Sequence, residues 1–141
     1  MAMVLAGVQP AQATDAFIER PALTQTQARA GVVAFARRQL GKPYVWGATG
    51  PRSYDCSGLM LAAYRSVGRT IPRTTSGQLA GLRTPRHLRR GDLVFGISHH
   101  VAMYIGHGQV IHAPEPGRRV EIASSAWHTR YAERTVFRPA R

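Results

Sequence analysis

The spacing of apolar residues along the chain changes near its midpoint, from a helical period to a shorter, strand-like one. Between Thr26 and Leu40, the residues Ala28, Val32, Phe35, Ala36 and Leu40 fall on one helical face, and Gly41 then stops the helix. The segment "GKPYVWGATGPRSY" reads as loop, punctuated by Pro43, Gly47, Gly50 and Pro51. A second helix is expected from Asp55 or Cys56 to Val67, ended by Gly68. Leu59, Ala63 and Val67 form one apolar row with Met60 and Tyr64 beside it, so one side of this helix packs into a core. Pro72 precedes a short helical turn near Thr75–Leu82. After the basic loop "RTPRHLRRG", the segments "DLVFGI", "HVAMYIG", "QVIHA", "RVEIA" and "RTVFRP" read as strands, being short, β-branched or aromatic, and separated by turn residues. Helices first and strands second predict an α+β domain, with helices packed on one side of a five- to six-stranded antiparallel sheet. No internal repeat or low-complexity segment is visible.

Residues 1–25 read as a flexible lead to one domain over 26–141, a length that supports one core and not two. The lead, "MAMVLAGVQPAQA", ends in Ala11-Gln12-Ala13, an A-x-A cleavage pattern without a basic flank. It fits either the clipped end of a secretory signal or an ordinary flexible start. No apolar stretch approaches the ~20 residues of a membrane span.

Composition narrows the partners. A hydrophobic content of 44% is that of a globular protein. A formal net charge of +12 favours an anionic partner: nucleic acid, anionic lipid or an acidic cell-wall polymer. The arginine pairs Arg37-Arg38, Arg89-Arg90 and Arg118-Arg119 are scattered, without the interleaved aromatics that base stacking requires. A nucleic-acid-binding role is therefore disfavoured.

The chain has a single cysteine, Cys56. A lone cysteine is most often a buried structural residue. Its setting here argues for chemistry instead. Asp55 is a good helix N-cap, which places Cys56 in the first helical turn. The positive end of the helix dipole there favours the thiolate, the form that attacks. Ser57 and Gly58 are small, so a substrate can approach closely, and the backbone N–H of Cys56 is available to an oxyanion.

Two histidines complete the inventory of a thiol hydrolase. His100 begins one expected strand and His112 ends the next. A two-residue turn at His107-Gly108 would point their rings to opposite faces. A three-residue Gly106-His107-Gly108 loop pairs Ile105 with Gln109 and sets Ala102 opposite His112. His100 then lies diagonal to His112 on the same face, roughly 7 Å away. That register is predicted, because three-residue hairpin loops with a left-handed glycine are common. His100 would serve as general base for Cys56, and His112 would orient the His100 ring. The remaining histidines, His87, His99, His107 and His128, read as surface residues, and His99 should point away from the side His100 faces. No metal-ligand spacing is present, and neither metal nor cofactor is expected.

These residues, in this order, resemble the NlpC/P60 cell-wall peptidases. The resemblance runs from about Ala28 to Arg138 through "GKPYVWGATGPRSYDCSGL", "IPRTTSGQ", "RRGDLVF", "HHVAMYIGHGQVIHAPEPGRRVEI" and "AWHTRY". It implies a papain-like α+β fold and a secreted or wall-associated endopeptidase that cuts the γ-D-glutamyl–diamino acid bond of peptidoglycan stem peptides. By the same resemblance Cys56 is the nucleophile, His100 the base and His112 the orienting residue. Tyr44 matches a cleft-lining tyrosine. Asp55 and Ser57 match substrate-contacting positions of relatives that need a free L-Ala amine, and Arg73 matches a motif arginine with a structural role. Departures are small: Ala48 stands where glycine is usual, Ala102-Met103 where Gly-Ile is common, and the loop between Phe95 and His100 is short.

The basic surface could substitute for dedicated wall-binding repeats by attraction to anionic wall polymers, in a salt-dependent way. Sequence does not reveal whether water or another nucleophile resolves the acyl-enzyme, so acyl transfer on the same fold stands beside hydrolysis. A binding domain without catalysis is a third reading, opposed by the Cys/His/His set. With Cys56 committed to catalysis, no disulfide-linked dimer is expected, and the chain reads as a monomer.

Overall fold

The computed structural model describes residues 21–126 and 132–137. Residues 1–20 of the expected 1–25 lead and the stretch 127–131, with His128, lie outside the described residues; Thr24 and Gln25, at the end of that lead, already cap and begin the first helix.

Three helices precede the sheet: α1 (Gln25–Arg38), α2 (Cys56–Arg65) and α3 (Thr75–Gly81). A capping box starts α1. Thr24 Oγ1 accepts from the Gln27 amide at 3.1 Å, and Gln27 Oε1 accepts from the Thr24 amide at 2.9 Å. Its buried stripe is Ala28, Val32, Val33 and Ala36. The expected last member, Leu40, is exposed, and Gln39 is buried in its place. The helix ends at Arg38, so helical spacing no longer governs direction there. Gln39 is satisfied in its buried position: its side-chain amide donates to the Phe35 carbonyl, and its Oε1 accepts from Tyr54 and Lys42.

Helix α2 is two residues shorter than expected, stopping at Arg65 with Ser66 as its cap. Leu59, Met60, Leu61, Ala63 and Tyr64 are buried. Tyr64 donates its hydroxyl to the Gly91 carbonyl, tying α2 to the turn ahead of the sheet. Burial pushes the Tyr64 pKa up, so the phenol stays a neutral donor.

The sheet comprises β1 (Leu93–Gly96), β2 (His100–Gly106), β3 (Gln109–His112), β4 (Glu121–Ser124) and β5 (Ala132–Arg134). The strands lie in the order β4-β3-β2-β1-β5, and every pairing is antiparallel. The last strand differs from expectation. It occupies Ala132–Arg134, not "RTVFRP"; Thr135 bridges to Arg83, and Phe137 is buried in the main core. An apolar Val-Phe run thus fills the core beyond the strand.

The β2–β3 turn also corrects the expected loop. Gly106 pairs with Gln109 across a two-residue His107-Gly108 turn, with positive φ at both central residues (52° and 68°). The register then shifts between Tyr104 and Gly106, so that Tyr104 faces Val110 and Met103 faces Ile111. Ile105 is the extra residue of a β-bulge. Beyond the bulge the register is the one that sets Ala102 opposite His112.

Val32, Leu59, Met60, Leu93, Phe95, Val101, Met103 and Ile111 belong to the main core, shared by α1, α2 and the sheet. A smaller cluster of Val94, Ala102 and Val110, with Leu88, Tyr104 and Ala123 against it, alternates with these along the strands. The result is the expected α+β architecture.

Candidate active site

Cys56 occupies the first position of α2, half-buried, with Asp55 as N-cap. Asp55 Oδ1 accepts from the Gly58 amide at 2.6 Å, and Oδ2 accepts from the Gly47 amide at 2.9 Å. The Asp55 amide in turn donates to the Ala48 carbonyl at 2.9 Å. The glycine-rich loop is thereby laced to the helix start. The same lacing requires a glycine at 58, because a Cβ there would collide with the Ala48 carbonyl oxygen.

Arg73 forks onto Asp55, with Nη1 to Oδ1 at 3.1 Å and Nη2 to Oδ2 at 2.7 Å, and it also donates to Ser57 Oγ at 2.9 Å. Asp55 and Ser57 are both buried. Burial alone would raise the Asp55 pKa. The hydrogen bonds from Arg73, Gly58 and Gly47, with the guanidinium charge, outweigh it and hold the carboxyl below the ordinary 3.8. Asp55 is therefore ionised at neutral pH, and its lone pairs are already engaged. It reaches a substrate amine only by releasing one of Arg73's bonds.

Tyr44 is buried beside the cysteine. Burial raises its pKa, and the Asp55 carboxylate adds to this against the lowering effect of Arg73, so its hydroxyl stays protonated. On the other side of the thiol, Cys56 Sγ lies 3.5 Å from Thr75 Oγ1, at the start of α3.

The histidines meet as the register requires. His100 Nε2 is 2.8 Å from His112 Nδ1, with the rings edge-on at a centroid distance of 5.0 Å. His112 is buried, and its Nε2 is 2.9 Å from Glu121 Oε1, the residue directly opposite it on β4. Arg118 Nη2 holds the same carboxylate oxygen at 2.6 Å. His100, His112 and Glu121 thus form one row across three strands.

An open cleft of about 910 Å³ contains Cys56 and His100 together. Tyr44, Asp55, Ser57, Arg73 and Thr75 line it as well. His112 stands behind His100, outside the lining residues.

His99 is exposed, as expected of a surface residue, but its expected direction is corrected. It lines the cleft beside His100, with Nδ1 3.5 Å from Ser76 Oγ. Strand alternation does not apply to it, because Ser98 and His99 both have left-handed φ (72° and 59°) in the turn that precedes β2. Sequence reasoning also missed Glu121, Arg118 and Thr75. Glu121 could have been found from the β3–β4 register, but an eight-residue connection leaves that register open. Among the described residues, no group of three or more His, Cys, Asp or Glu is placed to hold a metal ion, and no helix is long and apolar enough to cross a membrane.

A cysteine at a helix start, sharing a cleft with a histidine from an antiparallel sheet, defines a papain-like α+β protein. The sequence pattern of the NlpC/P60 family matches residues 41–141, and the chain belongs to that family. It is 48% identical over 98 residues to a protein of Corynebacterium glutamicum named "Probable endopeptidase", covering 66% of this chain and 45% of that one. It is 46% identical over 92 residues to a γ-D-glutamyl-L-lysine dipeptidyl-peptidase of Bacillus cereus, covering 59% of this chain and 28% of that one. The chain thus spans less than half the length of these two relatives. Among solved structures, it resembles the NlpC/p60 domain of the peptidoglycan hydrolase SagA, with a TM-score of 0.69 and 36% identity over 77% of this chain and 98% of that domain. It also resembles the peptidoglycan hydrolase RipB of Mycobacterium tuberculosis, with a TM-score of 0.71 and 26% identity over 93% and 79% of the two chains.

Proposed function

We propose that this chain is a cysteine endopeptidase that hydrolyses peptidoglycan stem peptides at the γ-D-glutamyl–diamino acid bond. The observation that carries this reading is that His100, 2.8 Å from His112 behind it, lines the same cleft as Cys56. Proximity of a thiol to an oriented imidazole is what acyl transfer to sulfur requires.

In this mechanism His100 takes the proton of the Cys56 thiol, and the sulfur attacks the γ-carbonyl of D-Glu. The Cys56 backbone N–H, in the first turn of α2, donates to the oxyanion. His100 passes its proton to the departing amine of the diamino acid. A water deprotonated at His100 then cleaves the thioester, restoring the thiol. His112 keeps the His100 ring in place through both steps.

Tyr44, Asp55 and Ser57 are proposed to contact the acyl portion of the stem peptide. In this reading Asp55 meets the L-Ala amine of the stem peptide by exchanging one of its two Arg73 bonds for it. The open cleft suits an extended peptide, and the +12 charge favours an anionic wall as the place of action, outside the cytoplasm. The relatives named as peptidoglycan hydrolase and γ-D-glutamyl peptidase support the same substrate class. The chain works as a monomer and without a cofactor in this reading.

The test is incubation of the protein with defined stem peptides, with and without the attached sugar, followed by mass spectrometry. Cleavage between D-Glu and the diamino acid, lost in Cys56→Ala, is the expected outcome. No cleavage of any fragment or of whole sacculi by folded, reduced protein overturns the reading. Ligated products would redirect it to acyl transfer.

A further inference from the structure

We infer that Glu121 is a positioning residue that fixes the direction of the proton chain running through His112 to His100. The inference rests on the catalytic reading given above, in which His100 is the base.

An ionised carboxylate only accepts hydrogen bonds. Glu121 is ionised: burial alone would raise its pKa, but the hydrogen bond from His112 and the charge of Arg118 hold it below the ordinary 4.5. His112 Nε2, 2.9 Å from Glu121 Oε1, must therefore carry the proton. A neutral His112 with its proton on Nε2 presents Nδ1 as an acceptor. Facing it at 2.8 Å is His100 Nε2, which must then donate. Neutral His100 then carries its lone pair on Nδ1, where a general base needs it.

With His112 neutral, every assignment in this row follows from the carboxylate at its end. Without Glu121, a neutral His112 can equally protonate Nδ1, donate to His100 Nε2 and force the His100 proton onto Nδ1, where it blocks proton uptake. A neutral imidazole is by itself an indifferent orienter, and Glu121 removes that indifference. When His100 takes up the thiol proton, its imidazolium donates through His112 toward a negative charge. Arg118 moderates that charge through the Glu121 oxygen it shares with His112.

Other charged groups act on the row. Cys56, Asp55 and Arg73 share the cleft with His100, His99 precedes it in the chain, and Glu115 lies beyond Arg118 at 3.8 Å. All of them remain in place in a variant changed only at Glu121, so a difference in titration reports on Glu121.

The experiment compares wild type with Glu121→Gln, which keeps the shape and removes the charge, and with Glu121→Leu, which also removes the acceptor. Nitrogen-15 NMR of the imidazoles is expected to find the His112 proton on Nε2 in the wild type and a mixture of tautomers in Glu121→Leu. The His100 imidazolium should titrate at lower pH in both variants. With stem peptide, kcat should fall about tenfold or more in Glu121→Leu, a fraction of the 10²–10⁴ that general-base catalysis contributes. KM should stay near the wild-type value, and Glu121→Gln should lie in between. A merely structural Glu121 would lower thermal stability without moving the His100 titration. A wild-type His112 protonated on Nδ1, or unchanged His100 titration in a folded Glu121→Gln protein, overturns the inference. If a variant fails to fold, the wild-type tautomer still decides. The NMR readout needs no substrate, so absence of peptidase activity counts against the proposed function and leaves this test standing.

Discussion

Arg73 grips both carboxylate oxygens of Asp55, and Asp55 is also the N-cap of the helix that carries Cys56. One ion pair therefore joins the segment before α3 to the start of α2 and to the loop around Gly47. Arg73→Ala should lower stability by about 1–3 kcal/mol, the cost of leaving a buried charged acceptor short of its donor. The partial exposure of Arg73 favours the lower end. Urea unfolding measures it. Arg73→Lys should recover only part of the loss, because a lysine cannot match both oxygens at once.

Acid should unfold the protein partly through the same carboxylate. The folded pKa of Asp55 lies below its ordinary 3.8, so the unfolded chain binds the proton more tightly. The stabilisation is complete above the unfolded value and is lost as pH falls through the folded one. Glu121, depressed below 4.5, acts in the same direction. The contribution of these two carboxylates to the thermal midpoint should be flat above about pH 5 and drop below about pH 4. In Asp55→Asn the drop should be shallower, from a lower plateau.

Much of this was legible in the sequence, and the misses have local causes. Strand β2 spans the predicted His100–Gly106, because Val101, Met103 and Ile105 alternate with polar or smaller residues between clear turns. Helix α2 began where Asp55 said it would. The His100–His112 meeting was predicted from strand register, although a bulge at Ile105 restores that register and the turn itself is shorter. Leu40 and His99 were misplaced by carrying a periodicity past the end of the element that owns it. The position of β5 was missed because Ala132-Glu133-Arg134 is polar and short, and only pairing with β1 makes it a strand. Glu121 needed a tertiary fact, the β3–β4 register, that no local pattern contains.

Thr75 gives the thiol a neighbour of its own. Its hydroxyl lies 3.5 Å from Cys56 Sγ, with room to donate to the sulfur when it is negative. Thr75→Val keeps the shape and removes the donor. Alkylation of Cys56 by iodoacetamide should slow by about threefold to tenfold, the worth of one ordinary hydrogen bond of about 1 kcal/mol. Thr75→Ser should alkylate near the wild-type rate. Equal rates in Thr75→Val and wild type would show that the hydroxyl is a bystander.

Gly58 and Gly31 offer a contrast in how a helix tolerates an added methyl group. Both are helical, and replacing a helix glycine by alanine gains about 1 kcal/mol where space allows. At Gly31 the obstacle is a methyl group of Val67, a half-buried side chain just beyond α2 that can yield. At Gly58 the obstacle is the Ala48 carbonyl oxygen, which cannot move without breaking its 2.9 Å bond from the Asp55 amide. Asp55 Oδ1, the cap itself, is the next atom in the way. Gly31→Ala should therefore stay within about 1 kcal/mol of wild type, with propensity offsetting the crowding. Gly58→Ala should lose about 1–3 kcal/mol through overpacking. It should also lower kcat, because the methyl group pushes the loop and the helix start apart two residues from the thiol. Urea denaturation ranks the two stabilities. If Gly58→Ala proves as stable and active as wild type, the loop is looser than its hydrogen bonds imply, and Cys56 is held by α2 alone.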